Sequence, residues 1–370
     1  MMPPEDPRPP SPARPWWRRF RLTRRGSVVA GGSAAVVVAA VIVLIVAVTP
    51  SGHSRKVAVA PTPTPTPMAT PSKHPKPRHP KPKPVNPLTG GRTSNHSVVA
   101  VKIDDTAVGR PQRGIDKADI VYVEEAEGGL TRLLAIYDTA LPTVEPVRST
   151  RAGDEQLAMQ FGSIDYVASG GSEGELAPLD RSTLHADIND RGGPGFARDP
   201  SRAAPYNLTA DLAMVAAKLH GPKAKSVGLA WSTRLATRGS RRATAVHTMV
   251  GGTPVAFDWS AKLHRYLRVI DGAVQHAANG ATITTPNVIV QFCRINAYPQ
   301  DIDTAGNPAQ YTHTIGRGKV SVFRNGRRID GTWTRSSIRD GTHLKDAHGK
   351  PIALAPGGAW FVLVAPRAPR

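Results

Sequence analysis

The sequence predicts a membrane-anchored protein whose exported part is an α/β domain followed by a smaller, β-rich α+β domain. Three observations predict this. One uncharged apolar run lies near the N-terminus, a proline-rich tract follows it directly, and near residue 226 alternating strand and helix patterns give way to strand patterns.

The apolar run is Ser27–Val48, 22 residues without a charge. A helix needs about 20 apolar residues to cross a bilayer, so a single membrane helix is expected over 27–49. Residues 1–26 hold seven arginines with Trp16 and Trp17, whereas only Arg55 and Lys56 follow closely. That asymmetry predicts a basic cytoplasmic segment at 1–26 and an extracytoplasmic remainder, with the tryptophans at the inner interface. A cleaved signal peptide, with "VAVA" at 57–60 as its cleavage region, is the competing reading. The run is longer than a usual signal core, which favours an uncleaved anchor. No cysteine lies at its end to carry a lipid.

Residues 50–85 include "PTPTPTPMATPSKHPKPRHPKPKP" and hold no candidate core. Such a tract favours extended polyproline II, with about 3.1 Å per residue and a reach on the order of 100 Å. It reads as a stalk. The first 85 residues hold 14 of the 48 Lys/Arg and 2 of the 28 Asp/Glu, so the other 285 residues carry only +8 of the total +20. A nucleic-acid partner is therefore not expected.

Globular sequence begins at "NPLTGG". In the first domain, 86–225, "HSVVAVKIDD" reads as a buried strand ending in Asp104 and Asp105. "ADIVYVEEAEGGLTRLLAIYD" reads as two strands around a glycine turn, and "SIDYVASGGS" as a further strand. Helices are expected after Arg151 and over about Thr209–His220, the second capped by Asn207 or Thr209 and ended by Gly221-Pro222. In the second domain, 226–370, "LHRYLRVIDG", "NVIVQFCRI", "GKVSVFRNGRRIDGTWTR" and "AWFVLVAP" read as strands. Asn325-Gly326 between alternating runs marks a type I′ hairpin. Cys293 reads as a buried, inert strand thiol, and Trp231, Trp259, Trp333 and Trp360 read first as core.

"NPLTG", "VKIDD", "GRPQRGIDKADIVY", "EGGLTR" and "EPVRSTR" occur in this order, with "GKVSVFRNGRRIDGTW" and "LAPGGAWFVLV" near the end. In these the chain resembles the YerB-like family of bacterial envelope proteins (DUF3048) over about 86–366. The resemblance implies an extracytoplasmic location, often as a lipoprotein, and brings no activity with it. The chain departs from the family in using a membrane helix and stalk. It also has "ASGGS" where a histidine is expected before the glycines, and "APYN" where Pro-His-Asn is expected.

In "EPVRSTR", Arg148 and Arg151 stand at the start of an expected helix. Free N–H groups and two guanidinium forks there make a cradle for a carboxylate or phosphate. Arg132 and Asp104 join them as ligand-binding candidates. The alternative is internal pairing of the arginines with Glu125, Glu127 or Glu145. Asp104, Asp105 and Glu127 are the candidate catalytic acids, because strand-end carboxylates at a suitable separation cleave glycosidic bonds. "SGGS" (169–172) lacks the nucleophile elbow, and the loop with His185, Asp187 and Asp190 lacks the spacing of a calcium loop. No metal or cofactor is expected. These residues favour a binding module for a cell-wall polymer or an envelope protein partner, with a glycan or peptidoglycan hydrolase as the alternative.

Overall fold

The computed structural model describes residues 84–235, 239–303 and 305–366. The expected membrane helix, the cytoplasmic segment and nearly all of the stalk lie outside them. Among the described residues no helix is long and apolar enough to cross a membrane.

Several apolar runs form strands buried from end to end. β1 (Val99–Asp104), β2 (Ile120–Glu125) and β3 (Thr131–Tyr137) come from the first half, followed by β4 (Asp165–Ala168) and β5 (His185–Ile188). The second half supplies β6 (Ser240–Arg242), β7 (Ala245–Val250), β8 (Thr253–Ser260), β9 (Arg265–Ile270) and β10 (Asn287–Phe292). It continues with β11 (Gly316–Arg324), β12 (Arg327–Arg335), β13 (His343–Asp346) and β14 (Ala359–Val364). Eleven strands make one mixed sheet in the order β6-β12-β11-β10-β14-β2-β3-β1-β4-β5, with β13 beside β12. Strands from before and after residue 225 therefore share this sheet. β14, the last in sequence, lies between β10 and β2 and is parallel to both.

Both faces of the centre are covered, as near-continuous apolar strands require. Ala100, Tyr122, Leu134, Tyr166 and Phe361 belong to the core on one face, and Val101, Val121, Leu133, Tyr137 and Trp360 to the core on the other. The second core also takes side chains from β7, β8 and β9, which pair in that order in a second sheet.

Helices are fewer and shorter than an α/β reading implies, and the fold is mostly β. The helix after Arg151 is α1 (Asp154–Ala158), only five residues before a 3-10 turn; α2 is Glu173–Asp180 and α3 is Leu212–Leu219. The helix expected from Thr209 starts later, because Leu208–Asp211 forms a strand and Asp211, not Asn207 or Thr209, caps the N–H of Met214 at 3.0 Å. It ends at His220, which takes a left-handed conformation (φ 55°) before Gly221. Asn325 and Gly326 have φ of 52° and 66°, as a type I′ turn requires, and join β11 to β12 with Arg324 opposite Arg327. Trp333 and Trp360 are core; Trp333 donates from its indole N–H to the Phe292 carbonyl at 2.9 Å. Trp231 and Trp259 are half-buried. Cys293 is buried, and burial pushes its thiol up to about 12.

Candidate functional site

Side chains alternate along a strand, so Asp104 and Asp105 leave the end of β1 in different directions. Lys102 and Asp104 share their face with Ala100. Cross-strand neighbours add Arg132, which lies opposite Asp104 on β3 and opposite Glu124 on β2. A charged layer thus replaces the apolar core at the carboxyl ends of β1 and β2. That is where ligands of open sheets with parallel strands bind.

The innermost part of the layer is fully paired. Lys102 is wholly buried and reaches Asp154 at 2.6 Å and Glu124 at 3.0 Å. Burial works against its charge, but Asp154 and Glu124 outweigh that and hold the ammonium above its ordinary value. Burial, with Asp154 adding and Lys102 opposing, pushes Glu124 up to about 7. The other oxygen of Asp154 accepts from the Tyr166 hydroxyl at 2.8 Å and the Arg151 backbone N–H at 2.7 Å. The start of α1 is therefore closed by its own first side chain and offers no open anion cradle.

Arg151 is consumed internally. Its guanidinium forks onto Glu127, with Nη2 to Oε2 at 2.6 Å, and its Nη1 lies 3.1 Å from Glu175. Glu127 sits in the turn between β2 and β3. Glu175 forms a capping box with Ser172 at the start of α2, so "SGGS" supplies a helix cap. Asp301, from the hairpin Ile295–Ile302/Pro308–Thr312, brings a third carboxylate, and the three lie within 4.8 Å of one another. Burial first, and then a hydrogen bond with Asp301, push Glu175 up to about 8 against the pull of Arg151.

Arg148 and Arg132 are differently placed. Both approach one oxygen of Asp104, Arg148 Nε at 3.3 Å and Arg132 Nη2 at 3.6 Å, and Arg148 also lies over the Tyr206 ring. The second Asp104 oxygen is taken by Thr106, through its backbone N–H at 2.7 Å and its hydroxyl at 2.6 Å. Arg132 is 6 % exposed, yet its Nε and the Asp104 oxygen beside it have no hydrogen-bond partner. Among the described residues the terminal nitrogens of Arg148 donate no hydrogen bond either. A 400 Å³ cavity lined by Arg110, Arg113, Glu145 and Arg202 shares Tyr206 with Arg148.

Asp105 lies apart from this group. Both its oxygens are 2.7 Å from Arg268 Nη2, and it accepts from the Thr131 hydroxyl at 2.8 Å. Arg268 lies over Trp360 at 5.0 Å. This is a buried clasp between β1 and β9, 163 residues apart in sequence.

Residues 87–225 match the N-terminal domain, and residues 245–361 the C-terminal domain, of the protein of unknown function DUF3048. The chain belongs to the DUF3048 family. It is 29 % identical over 293 residues to YerB of Bacillus subtilis (strain 168), which is named as a candidate lipoprotein; the match covers 75 % of this chain and 85 % of YerB. The fold is similar to the crystal structure of YerB from Bacillus subtilis, with a TM-score of 0.64 and 24 % identity over 76 % of this chain and 97 % of that one. In DUF3048 terms the charged layer is composite. The N-terminal segment supplies Lys102, Asp104, Glu124, Glu127, Arg132, Arg148, Arg151, Asp154 and Glu175, and the C-terminal segment supplies Asp301.

Of the four ligand-binding candidates, the structure places Asp104, Arg132 and Arg148 side by side, whereas Arg151 turns to Glu127 and Glu175. Sequence reasoning missed Lys102, Glu175 and Asp301. Lys102 had a signal, a lone cation inside "VVAVKIDD". Glu175 and Asp301 had none, because only the tertiary fold makes them neighbours.

Proposed function

We propose that this DUF3048 protein is an envelope protein that binds the carboxylate or phosphate group of a cell-envelope ligand between Arg132, Arg148 and Asp104. A single-pass anchor with a cytoplasmic N-terminus, as the sequence implies, would hold it at the membrane, and the name of the Bacillus relative fits a membrane-associated location. The observation that carries the reading is the Nε/Nη2 edge of Arg132. Buried polar groups are nearly always hydrogen-bonded, and this edge is the one that takes an oxyanion with two parallel bonds. An anion there would satisfy Arg132 and engage the terminal nitrogens of Arg148. Asp104, approached by both guanidiniums through one oxygen, would offset their mutual repulsion and hold them side by side.

The hydrolase reading has less support. Asp104, Asp105 and Glu127 each face a guanidinium, and Asp105 is locked by Arg268 away from the other two. The test is co-sedimentation of the purified protein with cell-wall sacculi, beside Arg148→Ala. A charge-assisted hydrogen bond is worth about 1.5–3 kcal/mol, so the variant should bind about tenfold or more weakly. Equal binding by the variant would end the arginine reading, and released muropeptides would revive the hydrolase.

A further inference from the structure

A second cavity, of 980 Å³, is lined by none of the residues given a functional role above. It is a groove between the β10/β11 part of the large sheet and β7 of the second sheet. Its floor is apolar, formed by Val290, Phe292 and Phe323. Its walls carry six cations: Arg241, Arg242, Arg294, Arg317, Lys319 and Arg328. Among the described residues no acidic side chain lines it.

Strand alternation produces this composition. On β11, Val320 and Val322 enter the core on one face, while Phe323 belongs to the core on the other. Arg317, Lys319 and Ser321 share the Phe323 side. The sheet face that buries apolar side chains elsewhere is therefore cationic where the second sheet stops covering it. Asp330 pairs with Arg241 at 3.2 Å and Arg328 at 2.6 Å. Arg242, Arg294, Arg317 and Lys319 are exposed and have no carboxylate partner among the described residues. Four like charges held along one groove repel one another and favour a ligand with several negative charges.

We infer that this groove binds a flexible phosphodiester-linked chain of polyol units, with phosphates on the arginine and lysine walls and the carbon segments along the apolar floor. Charge complementarity calls for repeated anions, and concavity calls for a chain. A flat bilayer cannot enter a groove enclosed between two sheets. Single-stranded nucleic acid stacks successive bases on a series of exposed aromatic faces, and here Phe323 is buried with the Arg328 guanidinium over its ring at 5.6 Å, which leaves one half-buried ring, Phe292. The site is independent of Arg132 and Arg148.

The experiment is fluorescence anisotropy of the full chain with a labelled glycerol phosphate oligomer over a salt series. An oligothymidylate of equal charge and phosphatidylglycerol vesicles serve as comparison arms. Releasing counterions from four contacts gives a log–log salt slope of about −3. Arg317→Gln/Lys319→Gln removes two exposed cations that hold no side-chain partner among the described residues, so its melting temperature should match that of the parent. Its slope should shrink to about half and its affinity at low salt should fall about tenfold or more. Arg242→Gln should show the same direction with a smaller change, and Arg148→Ala should bind the oligomer normally. Absence of oligomer binding, unchanged binding by the double variant, or tighter binding of oligothymidylate or vesicles would each overturn the inference. Loss of oligomer binding in Arg148→Ala would move the ligand to the other site and overturn it as well.

Discussion

Glu175→Gln should make the protein more stable as the solution becomes alkaline, relative to the parent. Burial and Asp301 push the Glu175 carboxyl up to about 8, from an ordinary value of 4.5. The folded protein therefore keeps a proton that the unfolded chain releases. Across that window the unfolded state binds fewer protons, so stability falls as pH rises. One proton corresponds to about 1.4 kcal/mol per pH unit, so Glu175 alone removes about 3 kcal/mol between about pH 5.5 and about pH 7.5. Glutamine mimics the protonated acid. It can donate to Asp301 and accept from Arg151, and it does not titrate. Urea denaturation of both proteins across this range gives the difference directly. Glu124 titrates in the same window in both proteins and cancels in the comparison. The variant's stability profile should be flatter by about one proton, with the gap opening toward alkaline pH. Parallel profiles would refute the reasoning, because they would mean Glu175 is ionised in the folded state and Asp301 is not its acceptor.

Lys102→Met should cost about 3–5 kcal/mol at neutral pH, because it leaves Glu124 and Asp154 buried without their cation; urea titration checks this, and the loss should be smaller in acid, where Glu124 is protonated. Arg268→Met should cost a similar amount, about 3–5 kcal/mol, by leaving Asp105 buried with only Thr131 and Gln112 as partners, and a melting shift of less than a degree or two would contradict the clasp. Gly326→Val should destabilise by more than about 1 kcal/mol, since φ is 66° and an added Cβ would stand 3.0 Å from the Trp259 ring. Loss of Trp259 fluorescence burial on thermal scanning reads that change.

The strand pattern was legible because burial of both sheet faces writes itself into long apolar runs. "AWFVLV" and "TRLLAIY" can be little else. The helices were less legible: "AGDEQLAMQFG" has helical spacing, but Asp154 turns inward to Lys102 and the helix stops after five residues. The site was half legible. Asp104, Arg132 and Arg148 sit at strand ends where function is sought. The pairing of Arg151 with Glu127 was among the alternatives the sequence offered, but its second partner, Glu175, was not readable, because only the tertiary fold brings the start of α2 beside it. The basic groove had a partial signal in "GRGKVSVF", where Arg317, Lys319 and Ser321 alternate with glycine or valine, but which side faced solvent depended on where the second sheet ended.

The position of β14 bears on how the chain acquires its structure. The final strand, Ala359–Val364, pairs on one side with β2, formed some 240 positions earlier, and on the other with β10. Until Ala359–Val364 is in place, β2 keeps an open, strongly apolar edge, and the two halves of the sheet have no strand to join them. Such long-range pairing slows folding and prolongs exposure of sticky edges. Loss of Ala359–Val364 would therefore remove the centre of the sheet while leaving its rim strands their other partners.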